Sequence, residues 1–254
     1  MFRRFLGVIF LVISLMAGAS FSQDLTGEDI IREVNDLLNQ ETALSRTRMI
    51  LQTSSGGIRT FEFKSWAKDR GEKTLIRYTE PSRARGQAIL MLNNANDIWM
   101  YFPRTRRVRK LATHAKRQKM QGSDFSYEDM GSGELFLTDY DAIRLDDSEE
   151  RGEDCYILRM ERKLSSDSSY EKLIIKVRKR DYSPLVIEYY EDGISEVSKV
   201  LYLEDILLIQ DIPTAMRLTM KNERDLTATR MELLNIEYGA ELPDEMFTER
   251  SLRQ

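Results

Sequence analysis

From Leu44 onward, apolar and charged residues alternate with a period of two, as in Phe61-Glu62-Phe63-Lys64 and Leu75-Ile76-Arg77-Tyr78. That period predicts half-buried antiparallel strands. The first runs are Leu44 to Thr53, Ile58 to Lys68 and Lys73 to Thr79, separated by Ser54-Ser55-Gly56-Gly57 and Asp69-Arg70-Gly71. A change of phase at Trp66 points to a bulge. Ala88 to Leu92 and Ile98 to Phe102 follow as a hairpin around Asn93-Asn94-Ala95-Asn96-Asp97. Further strands are expected at Asp141 to Asp146, Glu153 to Arg162, Tyr170 to Arg180, Leu185 to Glu191, Ile194 to Leu203, Thr214 to Asn222 and Thr227 to Tyr238. Asp192-Gly193, between alternating runs, is the strongest hairpin signal among their turns. Ahead of the strands, Thr26-Gly27-Glu28-Asp29 resembles a capping box, and Ile30, Ile31, Val34, Leu37 and Leu38 recur at helical spacing. Gly27 to Asn39 therefore predicts an amphipathic helix lying on a sheet. Consecutive hairpins imply a meander, and a twisted sheet of about ten strands curls or closes.

The hairpin around Asn93 to Asp97 is apolar on both faces: Trp99 and Tyr101 project to one side, Ile98, Met100 and Phe102 to the other. A helix or a ligand must cover the second face. Beyond Pro103 the chain turns basic, with Arg104, Arg106, Arg107, Arg109, Lys110, Lys116, Arg117 and Lys119 and no carboxylate before Ser123; the single His, His114, lies within it. An apolar hairpin with a positive rim suits amphiphiles with apolar tails and anionic or polar heads. The following stretch, Asp124 to Asp154, is acidic, so the two blocks can neutralise each other. Its first part, to Asp139, is irregular or briefly helical and carries Phe125, Tyr127, Met130, Leu135, Phe136 and Leu137, which are expected to fold across the mouth of the sheet.

At the start, Arg3 and Arg4 precede an apolar core from Phe5 to Met16 and small residues suited to cleavage. That pattern predicts a secretory signal peptide over residues 1–22, too short in its apolar core to span a membrane, and one domain over residues 23–254. Export implies the periplasm and argues against a nucleic-acid partner for the basic run. Cys155, the only cysteine, cannot form an intramolecular disulfide and reads as a buried strand residue. One His, one Cys and no H-E-x-x-H, C-x-x-C, G-x-S-x-G or Gly-rich phosphate loop leave no expectation of a metal, a cofactor or an enzyme. An unrecognised carboxylate pair acting on envelope polymers is the one catalytic alternative.

The signal, the N-terminal helix, the segment Asp97-Ile98-Trp99-Met100-Tyr101-Phe102-Pro103, the basic arm Arg104 to Lys110 and the closing Leu242-Pro243-Asp244-Glu245-Met246-Phe247 together resemble the outer-membrane lipoprotein-sorting proteins of the LolA-like superfamily, in its less characterised branch. The resemblance implies a mainly β (α+β) fold: an incomplete antiparallel barrel of about ten or eleven strands, with the N-terminal and short helices covering a concave apolar face that takes acyl chains. On that basis Phe61, Phe63, Leu90, Leu92, Trp99 and Tyr101 are the lipid-binding candidates, and Arg104, Arg106, Arg107, Arg109 and Lys110 the candidates for docking a partner or head group. The expected function is a monomeric periplasmic carrier of lipoprotein or lipid acyl chains towards the outer membrane, served by an inner-membrane transporter and an outer-membrane acceptor. The alternative is a periplasmic sensor or adaptor that recognises envelope proteins or lipoproteins.

Overall fold

The computed structural model describes residues 24–131 and 133–253, so the expected signal peptide lies outside the described residues. One helix, α1 (Gly27–Leu38), precedes six strands: β1 (Thr42–Gln52), β2 (Ile58–Lys68), β3 (Lys73–Glu80), β4 (Ala88–Leu92), β5 (Asp97–Phe102) and β6 (Arg107–Lys110). A crossover then carries α2 (Tyr127–Met130) and α3 (Leu135–Asp139). Seven more strands follow: β7 (Tyr140–Glu150), β8 (Glu153–Arg162), β9 (Tyr170–Arg178), β10 (Pro184–Glu191), β11 (Lys199–Ile209), β12 (Ile212–Asn222) and β13 (Thr227–Tyr238). All thirteen form one antiparallel sheet in the order β6-β5-β4-β3-β2-β1-β13-β12-β11-β10-β9-β8-β7. The two meanders meet in the middle, where β1 pairs with β13 from Ala43↔Tyr238 to Gln52↔Ala228. The outer strands β6 and β7 do not pair, so the barrel is incomplete.

Alternation decides which side chains face the inside. Phe61, Phe63, Ile76, Tyr78, Leu158, Met160, Ile175, Met220 and Met231 join one core on the concave face. The intervening Glu62 faces out and binds Arg46 at 2.7 Å and Arg48 at 3.0 Å. α1 starts with the anticipated capping box, in which Thr26 Oγ1 accepts from Asp29 N and the Asp29 carboxylate accepts from Thr26 N. Its stripe of Ile30, Ile31 and Val34 is buried on the concave face. Gly27 brings the helix start against β7, and a Cβ there would stand 2.6 Å from the Ala142 carbonyl oxygen, a contact no side chain tolerates.

Several expectations are corrected. The sheet has thirteen strands rather than ten or eleven. β6 is a strand although three of its four residues are charged, because an edge strand has little to bury. Asp192-Gly193 does turn, with Ile194 N donating to Glu191 O, but the chain rejoins the sheet only at Lys199. Arg162 and Glu171 hold that loop out, binding Asp192 Oδ1 and Gly193 N respectively. Two-residue turns form instead at β11–β12, where Gln210 and Asp211 both take positive φ (50° and 65°) and Ile209 pairs with Ile212, and at β7–β8, where Arg151 and Gly152 do so (53° and 80°) and Glu150 pairs with Glu153. At Trp66 the β1–β2 register is regular; the irregularity lies between Glu62 and Phe63 on the β3 side. Trp66 breaks the polar phase because it belongs to a second apolar cluster on the convex face.

That second cluster explains the two-sided apolar hairpin. Leu75, Ala88 and Leu90 are buried on the convex face beneath Leu242, Phe247 and Leu252 of the C-terminal tail, with Trp99 and Tyr101 packed alongside. Lys68 Nζ donates to Leu242 O at 2.9 Å, and Arg77 donates to the Ser251 and Leu252 carbonyls, which ties the tail down. Cys155 is wholly buried in a third cluster with Ile157, Leu185, Val186 and Val200.

Candidate functional site

The crossover from β6 to β7 lies across the concave face, and its own side chains fill much of the interior. Met120, Phe125 and Tyr127 are buried in the same core as Phe61, Phe63 and Ile89. It is also pinned by buried charges. Asp129 is an N-terminal residue of α2, where Ser126 Oγ and the Asp129 carboxylate form a second capping box. The same carboxylate receives Lys199 Nζ of β11 at 2.7 Å and the Tyr170 hydroxyl of β9 at 2.8 Å. Its neighbour Glu128 accepts from Ser168 Oγ at 2.6 Å, Ser169 Oγ at 2.5 Å and Ser169 N at 3.1 Å. Asp124 accepts from Thr227 Oγ1 at 2.5 Å and Thr229 Oγ1 at 2.7 Å on β13. Burial, with the nearby carboxylates, pushes the Tyr170 and Tyr189 phenols well above their ordinary value. Tyr170 therefore stays a proton donor to Asp129, and the Lys199 ammonium stacks over the Tyr170 ring at 4.8 Å.

A polar groove of about 320 Å³ runs along one side of this plug, lined by Arg117, Lys119, Asp124, Ser126, Ser169 and Lys199, and two further spaces lie on the other. A small cavity of about 50 Å³ lies between Glu128, Phe136, Tyr140, Tyr170, Leu173 and Tyr189. A larger cleft of about 310 Å³ shares Asp129, Gly133 and Phe136 with it; its lining is mixed, with Leu38, Ala43, Ala67, Ile76, Met130 and Ile236 beside Asn39, Gln40, Ser65, Thr74 and Tyr238. The cleft is a mouth at the end of the half-barrel where β1 and β3 begin and β13 ends. Leu38, at the end of α1, is 42% exposed there. The β11–β12 hairpin tip stands beside it, since Tyr238 exchanges two hydrogen bonds with the Gln210 side chain and its hydroxyl meets Thr214 Oγ1 at 3.0 Å. That tip carries Leu207 and Leu208, 55% and 69% exposed. Deeper inside, the buried Tyr78 hydroxyl has no hydrogen-bond partner among the described residues, a deficit costing about 1–3 kcal/mol.

The six lipid-binding candidates do not share a surface. Phe61 and Phe63 are buried in the concave core, each edge-on to Tyr78. Leu90, Leu92, Trp99 and Tyr101 belong to the convex cluster under the C-terminal tail. The five basic candidates lie together around the β5–β6 turn and are exposed. Lys110 is taken up by Asp97 at 2.6 Å and the Trp99 ring at 4.8 Å. Arg104, Arg106, Arg107 and Arg109 have no carboxylate partner among the described residues, so the expected neutralisation by the acidic stretch is limited to Lys119–Asp124 at 3.6 Å. His114 is exposed. Leu207 and Leu208 were not anticipated; the unbroken run Ile206 to Ile209 was the available signal, masked by Pro213, which reads as a strand breaker.

A family model described as "-like: Uncharacterized protein" matches residues 70–254, well over half of the chain. The chain belongs to the family that this model describes. It superposes on an outer membrane lipoprotein-sorting protein domain from Vibrio parahaemolyticus with a TM-score of 0.81 at 23% identity, covering 90% of this chain and 98% of that one. A DUF1329 family protein from Desulfovibrio piger gives 0.80 at 24% identity, covering 89% and 97%. A LolA superfamily protein from Nitrosomonas europaea gives 0.75 at 20% identity, covering 89% and 99%. At these identities the likeness establishes the fold of the chain alone. No curated protein matches it. Among the described residues, no group of three His, Cys, Asp or Glu side chains could hold a metal ion, and no helix is long and apolar enough to cross a membrane.

Proposed function

We propose that the protein is a periplasmic carrier that shelters the acyl chains of a lipoprotein or lipid within its concave face and passes them towards the outer membrane. The observation that carries this reading is the mouth: a cleft beside the crossover, lined by Leu38, Ala43, Ala67, Ile76, Met130, Phe136 and Ile236 together with polar residues, with the exposed Leu207 and Leu208 on the neighbouring hairpin. Each methylene moved from water into such a space contributes about 0.8 kcal/mol, so partial cover of two or three chains gives firm but reversible holding. The cleft is too small for whole chains, and loading therefore requires the crossover to lift. A ligand ester or amide carbonyl reaching the Tyr78 hydroxyl would supply its missing partner. The description of a chain of the same fold as an outer membrane lipoprotein-sorting protein domain and the expected signal peptide support the periplasmic assignment.

Native mass spectrometry of protein purified from the periplasm should show co-purifying lipid or lipopeptide, and delipidated protein should bind a fluorescent fatty-acyl probe. L207E/L208E should weaken that binding at least tenfold. Delipidated protein that ignores the probe, or a variant that binds it as well as the parent, refutes the proposal.

A further inference from the structure

The chain carries a second concentration of unused chemistry at the other end of its strands. β3 begins at the mouth with Thr74 and Ile76; beyond its far end, the loop of residues 81–87 meets the β5–β6 turn. There Arg83, Arg104 and Arg109 surround a groove of about 300 Å³ completed by Gln87, Phe102, Pro103 and Thr105. No carboxylate lines it. In a chain with 42 acidic and 38 basic residues, Arg46, Arg48, Arg70, Arg85 and Arg144 all find an acidic partner within 4 Å, yet none of these three does among the described residues. The Arg109 guanidinium lies over the Phe102 ring, 5.8 Å from its centre. Arg106 and Arg107 are exposed on the same turn.

We propose that this corner docks the phosphate head groups of an anionic phospholipid surface. Arginine presents a planar fork that matches phosphate oxygens in pairs, and here the forks come from two separate segments and converge on one groove. Five arginines without a carboxylate partner among the described residues exceed what one free phosphate neutralises, and the Phe102–Pro103 floor between them offers apolar contact of the kind found where head groups meet acyl chains. Because the corner and the mouth lie at opposite ends of β3, docking does not depend on acyl-chain carriage, and either can fail alone.

The test is co-sedimentation of the mature protein with phosphatidylglycerol vesicles and with phosphatidylcholine vesicles at about 0.1 M salt, where surface charge still acts over about 10 Å. Binding should be confined to phosphatidylglycerol. R83Q/R109Q should weaken it about thirtyfold, from roughly fivefold per cation at an anionic surface, while K64Q/R250Q, which removes the same charge elsewhere on the surface, should bind like the parent. Acyl-probe uptake should be unchanged in R83Q/R109Q, which separates this site from the carrier reading. Equal binding to both vesicle types, or equal losses in the two double variants, overturns the proposal. So does displacement by millimolar inorganic phosphate at constant ionic strength, which would make free phosphate the ligand. Binding to polyglutamate without binding to phosphatidylglycerol would point to an acidic protein and overturn it as well.

Discussion

Replacing Lys199 with methionine removes the cation that meets Asp129 beneath the crossover. The two side chains are 8% and 3% exposed and 2.7 Å apart, so the remaining carboxylate cannot recover its hydration. Breaking such a pair from one side costs about 3–5 kcal/mol. Asp129 keeps the Tyr170 hydroxyl and the Ser126 amide, which places the loss near the lower end, about 3 kcal/mol. At roughly 2–4 °C per kcal/mol for a domain of this size, Tm should fall by about 6–12 °C. The double variant D129N/K199M no longer buries an uncompensated charge and should recover at least about 1 kcal/mol. Urea unfolding followed by Trp66 and Trp99 fluorescence measures the loss, and amide exchange over residues 120–139 shows whether the crossover loosens first. Faster uptake of an acyl probe by K199M would accompany that loosening. A K199M protein within about 0.5 kcal/mol of the parent, with unchanged exchange in the crossover, would refute the claim that this pair seats the plug.

L252A should cost about 2–5 kcal/mol, since Leu252 is fully buried under the convex face, and it should shift Trp99 emission to the red without altering probe uptake at the mouth; urea titration and emission spectra check both. The hydrogen bond from Lys116 holds the Asp167 carboxyl below its ordinary value of 3.8. A carboxyl depressed on folding contributes stability that is complete above the ordinary value and is lost as pH falls through the folded one. D167N should accordingly be less stable than the parent at pH 7, and the gap should close below pH 3.8, as thermal melts at the two pH values will show.

The meander was legible because alternation survives wherever one strand face meets water, as in Phe61-Glu62-Phe63-Lys64. What alternation does not encode is which face of a curled sheet becomes the inside. Leu90 and Phe63 look equivalent in the sequence, yet Phe63 points into the half-barrel and Leu90 lies under a tail whose anchors, Leu242, Phe247 and Leu252, follow no regular period. The basic arm was visible, but Arg83 was not, because it reaches the groove from a different loop. Asp124, Glu128 and Asp129 read as part of a solvated acidic block, and they are buried because hydroxyls and an ammonium from β9, β11, β13 and the loop before β9 receive them across about 40–105 residues of sequence. Local pattern carries no trace of such partners.

The central seam has a consequence for how the molecule is made. β1 pairs on one side with β2, its immediate successor, but on the other with a strand that ends at Tyr238. Until synthesis has passed residue 238, one border of that eleven-residue strand has no native partner and is open to mispairing with other chains. Maturation should therefore be slow, governed by a single late closure, and sensitive to loss of the holding factors that shield emerging chains.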